Sequence, residues 1–121
     1  MPDLRRGIEV RVKRVYEPPS PDDGVRILVD RLWPRGLAKA RAAIDCWVKE
    51  IAPSTELRRW FGHDPERWAE FRTRYAQELR AHSELLDRVR SRAQRGPVTL
   101  LFGARDTLHN DAVALREILL R

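Results

Sequence analysis

The chain has 121 residues, 42% of them hydrophobic and 35% charged, a length and balance that suit one folded domain around one core and exclude an intrinsically disordered segment. No apolar stretch approaches the ~20 residues needed to cross a bilayer, Met1–Arg6 lacks the apolar region of a signal peptide, and the lone Cys46 excludes an intrachain disulfide, so the cytoplasm is the expected compartment. The net charge of +6 invites a nucleic-acid partner, but its excess is mild and spread out: residues 1–41 carry ten Lys and Arg against six Asp and Glu, residues 42–96 eleven against nine, residues 97–121 three against three.

Ile8 to Tyr16 alternates apolar and polar at period two, as a strand with one buried face does. Pro18, Pro19, Ser20, Pro21, Asp22, Asp23 and Gly24 are turn chemistry. Val25 to Val29 then reads as a second strand, more continuously apolar and so covered on both faces. The connection is short for a parallel crossover, which leaves antiparallel pairing open on spacing alone. Directly after it stands Asp30-Arg31-Leu32-Trp33-Pro34-Arg35-Gly36, far richer in chemistry than a turn needs. It reads as a strand delivering its C-terminal end into a site.

From Leu37 the pattern turns helical in short pieces, Ala38 to Ala43 and Ile44 to Ile51, with a break at Ala52-Pro53. Ser54 or Thr55 is placed to cap a third piece ending at Phe61-Gly62, and Glu56 suits its first turn. Asp64 before Pro65 opens the clearest helix: Trp68, Phe71, Tyr75, Leu79, His82, Leu86 and Val89 recur at steps of three and four, and Gly96-Pro97 stops it. Trp47, Trp60, Trp68, Phe61 and Phe71 read as core, and Cys46 as a small buried apolar residue. Val98 to Phe102 reads as a central strand, Asp106 or Thr107 as the cap of a final helix, and Leu108, Ala112, Leu115 and Leu119 as its apolar face. The expected fold is a small α/β sandwich of two or three layers, with a short, mostly parallel sheet of three to four strands and flanking helices.

Arg14-Val15-Tyr16-Glu17, Asp22-Asp23-Gly24, Val29 through Gly36, Ile51-Ala52-Pro53-Ser54, Leu57 to Phe61, and Leu100 to Asp106 with His109-Asn110 resemble the YeaO-like bacterial proteins, a branch of a larger domain-of-unknown-function family. The resemblance covers nearly the whole chain and implies a compact cytoplasmic α/β domain with no established reaction. It also favours a parallel first pair of strands. Other branches carry cysteines after the last strand where this chain has Gly103-Ala104-Arg105-Asp106, so thiol chemistry does not carry over.

If the strands run parallel, their carboxyl ends gather Arg14 and Tyr16, Asp30 and Arg31, and Arg105 and Asp106 at the edge where open α/β folds bind ligands, with His109 and Asn110 in the first turn of the final helix. The expected ligand is an anionic small molecule, a nucleotide or phosphate ester. Arg14, Arg31, Arg35 and Arg105 supply charge and bidentate donors, Tyr16 or Trp33 a stacking face, Asn110 a polar contact, and Asp30, Asp106 and His109 the acid–base groups of a hydrolysis. Each has a plainer reading: Asp30 and Arg31 as partners for charges on neighbouring elements, Asp106 as a cap, His109 and Asn110 as loop ties, His63 as a turn residue, His82 as a satisfied half-buried histidine. No spacing resembles a metal site or a phosphate loop, and no cofactor is expected. A nucleic-acid or regulatory module using the arginine-rich face of the long helix, and a structural or dimerising protein without a ligand, are the alternatives; no membrane partner is expected and oligomeric state is left open.

Overall fold

The computed structural model describes residues 7–121; the charged stretch Met1–Arg6 lies outside the described residues. Four strands form one parallel sheet: β1 (Val10–Arg14), β2 (Val25–Leu28), β3 (Cys46–Trp47) and β4 (Val98–Phe102), in the order β1-β4-β2-β3. The last strand in sequence is thus central. It pairs with both early strands, Val98 lying opposite Val10 on one side and Val25 on the other. The short connection between β1 and β2 can be parallel because it steps over an inserted strand rather than joining neighbours. Ladder bonds from Val15 N to Phe102 O (2.8 Å) and from Val29 N to Leu101 O (3.2 Å) carry the pairing one residue past each strand.

Side chains on successive strand residues alternate between faces, and the two faces are covered differently. Ile27, Val29, Val98, Leu100 and Phe102 enter the larger core with residues of four helices, α2 (Thr55–Phe61), α3 (Trp68–Leu79), α4 (Ser83–Ala93) and α5 (Asp111–Leu120). Leu28 and Leu101 join Val15 in a smaller cluster roofed by Trp33, Leu37, Ile44 and Trp47. That roof runs from Trp33 in the rich segment after β2 to Trp47 of β3, on either side of a single helical turn, α1 (Lys39–Ala42).

The other ends of the strands are pinned by a buried ion network. Asp23 closes a short 3₁₀ turn capped by Ser20, and its carboxylate meets the Arg26 guanidinium at 2.5 Å and Lys13 Nζ at 3.2 Å. Arg26 also donates to the carbonyls of Ala42 (3.1 Å) and Ala43 (3.0 Å), tying α1 to β2. Gly24 follows with φ +63°, where any Cβ would run into the Pro97 carbonyl, so the turn requires glycine.

Several local expectations are corrected. Ile44 to Ile51 is not helical: Cys46 and Trp47 pair with Ile27 and Leu28 as β3, and only Lys49–Ile51 coils, as a 3₁₀ turn. Cys46 is accordingly exposed on an edge strand rather than buried. The long helix is two helices, because a 3₁₀ turn at Arg80–His82 re-aims the chain between the buried set Phe71, Tyr75, Leu79 and the buried set Leu86, Val89, Ala93. The final helix is capped by Asn110, whose side chain accepts from Val113 N, and not by Asp106 or Thr107; Leu108 stays outside it and is 70% exposed. Of the aromatics, Phe61 and Phe71 are buried, whereas Trp47, Trp60 and Trp68 are half-buried.

Ser54 caps α2, its Oγ accepting from Leu57 N at 3.1 Å and donating to Glu78 at 2.5 Å. Replacing it by alanine is expected to cost about 1 kcal/mol, the usual worth of such a cap. A urea melt with unchanged slope and a lowered midpoint checks this.

Candidate functional site

With four parallel strands, every C-terminal end meets one edge, and an open cleft of about 890 Å³ lies there. Nine of the ten residues anticipated for the site line it: Arg14, Tyr16, Asp30, Arg31, Trp33, Arg35, Arg105, His109 and Asn110. Asp106 does not line it but holds one that does. Its Oδ2 lies 2.9 Å from His109 Nδ1, while Oδ1 accepts the backbone N–H groups of Leu108 and His109. These donors, the Leu108 N–H first and the imidazole second, keep the Asp106 carboxyl below its ordinary range. A carboxylate only accepts, so Nδ1 carries the shared proton and Nε2 is left as the free nitrogen of His109. Trp68 fixes the ring further, edge-on at 5.3 Å.

The arginines divide into two kinds. Arg14 donates to Ala104 O (2.8 Å) and Gly103 O (3.2 Å), and Arg31 to the carbonyls of Pro53 and Ala52, both at 3.3 Å. These two shape the cleft walls by bonding backbone. Arg35, Arg59 and Arg105 have exposed side chains, and their guanidinium groups make no hydrogen bond or ion pair with protein among the described residues. Arg58 stands with them on α2 and favours the charged form of Asp111 across the cleft. The aromatic faces are committed in a similar way. Trp33 donates Nε1 to Leu37 O at 2.7 Å and meets Trp47 edge-on at 5.4 Å. Tyr16 keeps more freedom: it is 41% exposed, with its hydroxyl on Arg35 O and the Arg14 guanidinium 5.0 Å from its ring.

Half-buried in the cleft stands a pair of carboxyl groups, Asp30 and Asp111. Asp30, just beyond β2, accepts the Gly103 N–H at 2.8 Å through Oδ2, and Asp111 is the first residue of α5. Desolvation and the negative charge of Asp30 both push the Asp111 carboxyl well above its ordinary range, so of the two Asp111 is the one that takes up a proton. Close to the pair, Tyr75 is fully buried and donates to Ile51 O at 2.6 Å; burial above all holds its hydroxyl neutral.

Asp111, Arg58, Arg59, Thr55 and His63 line the cleft without having been anticipated. An aspartate after an asparagine cap reads as a partner for the helix dipole, and Thr55 and His63 read as helix-end chemistry. The same aspartate alters the expected helix-end anion site. Asn110 takes the Val113 N–H and Asp111 takes the Ala112 N–H, so the first turn of α5 presents carboxyl oxygen where bare donors were expected.

The arginine-rich helix face behind the nucleic-acid alternative is only partly a surface. Arg90 is buried and donates to Leu119 O and Ile118 O, both at 3.0 Å, satisfying the C-terminal carbonyls of α5. Among the described residues no cluster of side chains could hold a metal ion, and no helix is long and apolar enough to cross a membrane.

A family model described as the inactive DUF488-N3 subclade matches residues 9–121. The chain belongs to this family. It is 46% identical over 110 residues to the uncharacterized protein YeaO of Escherichia coli K12, covering 91% of this chain and 96% of that one. It is 44% identical over 114 residues to the uncharacterized protein Rv3073c of Mycobacterium tuberculosis H37Rv, covering 94% and 96%. No solved structure matches. The family is the YeaO-like one anticipated from the strand-end motifs, and its members bring no named reaction.

Proposed function

We propose that the cleft binds an anionic small molecule, a phosphate ester or nucleotide, at the C-terminal edge of the sheet, and holds it without turnover. The observation that carries this reading is that Arg35, Arg59 and Arg105 surround one cleft with no protein partner for their guanidinium groups. Cations close together repel, and three around a concave site favour an anion that pairs with them. Two features support retention rather than hydrolysis: the family is described as an inactive subclade, and the carboxyl pair is occupied with its own proton and with Gly103 N–H. A cytoplasmic setting, where such anions abound, goes with this reading.

Thermal shift at low salt tests it, with phosphate, pyrophosphate and nucleotides as ligands. An anion at a hundred times its Kd should stabilise the fold by about 2.7 kcal/mol. The double variant Arg59→Ala, Arg105→Ala should melt as the parent does, since both side chains are exposed, yet bind at least about tenfold more weakly. Failure of every anion to raise the melting temperature sinks the proposal.

A further inference from the structure

The cleft is polarised from mouth to floor. Arg35, Arg59 and Arg105 are exposed at its rim; further in stand half-buried Asp30 and Asp111, with half-buried Arg14 and Arg31 bound to backbone carbonyls, beside buried Phe61, Phe71 and Asn110. An anion pushed against the acid pair would meet carboxyl oxygens and the negative charge of Asp30, and the two arginines beside it already spend donors on backbone carbonyls. An anion at the mouth meets guanidinium groups without protein partners. Charge therefore favours an orientation in which an uncharged end of the ligand enters first.

The floor also states what that end should carry. The pair offers four carboxyl oxygens, of which Asp30 Oδ2 is already taken by Gly103 N–H and one oxygen of Asp111 faces the Ala112 N–H. The remaining lone pairs are acceptors, so the floor asks for hydrogen-bond donors on a neutral group. Phe61 and Phe71, stacked with centroids 4.4 Å apart and almost wholly buried, close the cleft behind these oxygens. Adjacent hydroxyls on a sugar ring have the properties asked for: they are neutral and rich in donors.

Resting on the anion-binding reading above, we infer that the ligand is a phosphorylated sugar or a nucleotide, held with its phosphate at the arginine rim and its sugar hydroxyls on the Asp30–Asp111 pair. This reverses the orientation in which a phosphate would sit at the N-terminus of α5. It also makes the acid pair the part of the site that selects among anions, while the arginines supply charge without selection.

Isothermal titration with four probes tests this: inorganic phosphate, ribose 5-phosphate, AMP and 2′,3′-dideoxy-AMP. Ribose 5-phosphate should bind at least tenfold more tightly than phosphate, and AMP at least tenfold more tightly than its dideoxy analogue. A preference for AMP over ribose 5-phosphate points to the nucleotide, and the reverse order to the free sugar ester; both outcomes support the inference. In Asp111→Ala, which removes an acceptor, the ratio of AMP to dideoxy-AMP affinity should fall toward one. Asp111→Leu, which removes both carboxyl oxygens while keeping the bulk of the side chain, serves should the alanine variant fail to fold. If phosphate binds as tightly as ribose 5-phosphate, or if the hydroxyl preference survives loss of Asp111, the inference is overturned and the anion-binding reading stands. If no probe binds, both fall.

Discussion

Asp23→Asn is expected to destabilise the protein by about 3 kcal/mol, the low end of what removing one partner of a buried ion pair costs. Asp23 and Arg26 have side chains only 6% and 5% exposed, and the substitution leaves the guanidinium buried beside a neutral amide. The effect stays near the low end because Arg26 keeps two carbonyl acceptors, Ala42 O and Ala43 O. With roughly 4 °C per kcal/mol for a chain of this size, the melting temperature should fall by about 12 °C. Coupling is the sharper check. Asp23→Asn with Arg26→Met should cost less than the two single changes added together, by about 1–3 kcal/mol. Additive losses, or a single-variant loss under 1 kcal/mol, would show that water reaches the pair and screens it.

The pH dependence of this network has a definite sign. Burial alone would raise the Asp23 carboxyl, but the Ser20 N–H, Lys13 and Arg26 outweigh it and hold the group below its ordinary 3.8. A carboxyl depressed on folding stabilises above its unfolded value and loses that contribution as pH falls through the folded one. The parent should therefore lose stability in acid below about pH 4 more steeply than Asp23→Asn does.

How far these features could be read in advance follows from the range of the signals involved. Val25–Leu28 and Val98–Phe102 were legible because a strand buried on both faces is continuously apolar, a property of neighbours in sequence. The clustering of Arg14, Asp30 and Arg105 followed from parallel direction alone, since it puts every strand's end at one edge. Cys46–Trp47 was not legible as a strand: two residues carry no period, and they are extended only because Ile27 and Leu28 offer a free ladder. The cap of α5 slipped for a related reason. Asp106 has the residue type and spacing of a cap, yet its oxygens are spent on Leu108 N, His109 N and the His109 ring, leaving Asn110 to start the helix. Trp33 announced itself as a ligand face, but its Nε1 bond to Leu37 O and its contact with Trp47 make it first a part of the roof. Asp111 was hidden altogether, because its meaning lies in Asp30, a residue from the opposite end of the chain.

Asp111→Asn is expected to raise stability at neutral pH by about 1–2 kcal/mol, a reversal of the usual sign for a substitution at a half-buried polar position. The cause is the linkage of folding to a proton. Desolvation and the charge of Asp30 raise the Asp111 carboxyl well above 3.8, with the Ala112 N–H and Arg58 opposing them and losing. Where the folded state binds a proton that the unfolded state releases, stability falls with rising pH; the decline begins near pH 4 and ends once pH passes the raised folded value. An asparagine keeps an oxygen for the Ala112 N–H and can donate its amide to Asp30, but has no proton to lose. Its stability should therefore stay flat across the window in which the parent declines, and the two curves should converge at the acid end. The melting temperature at pH 7 should rise by roughly 4–8 °C. Melts of both proteins between pH 4 and pH 8 decide the matter. Parallel curves would mean that Asp111 is ionised and solvated in the folded protein, and the proton assigned to it would have to be given up. A gain in stability accompanied by a loss of discrimination between hydroxylated and deoxygenated ligands would instead identify the pair as a feature kept for binding at a cost to the fold.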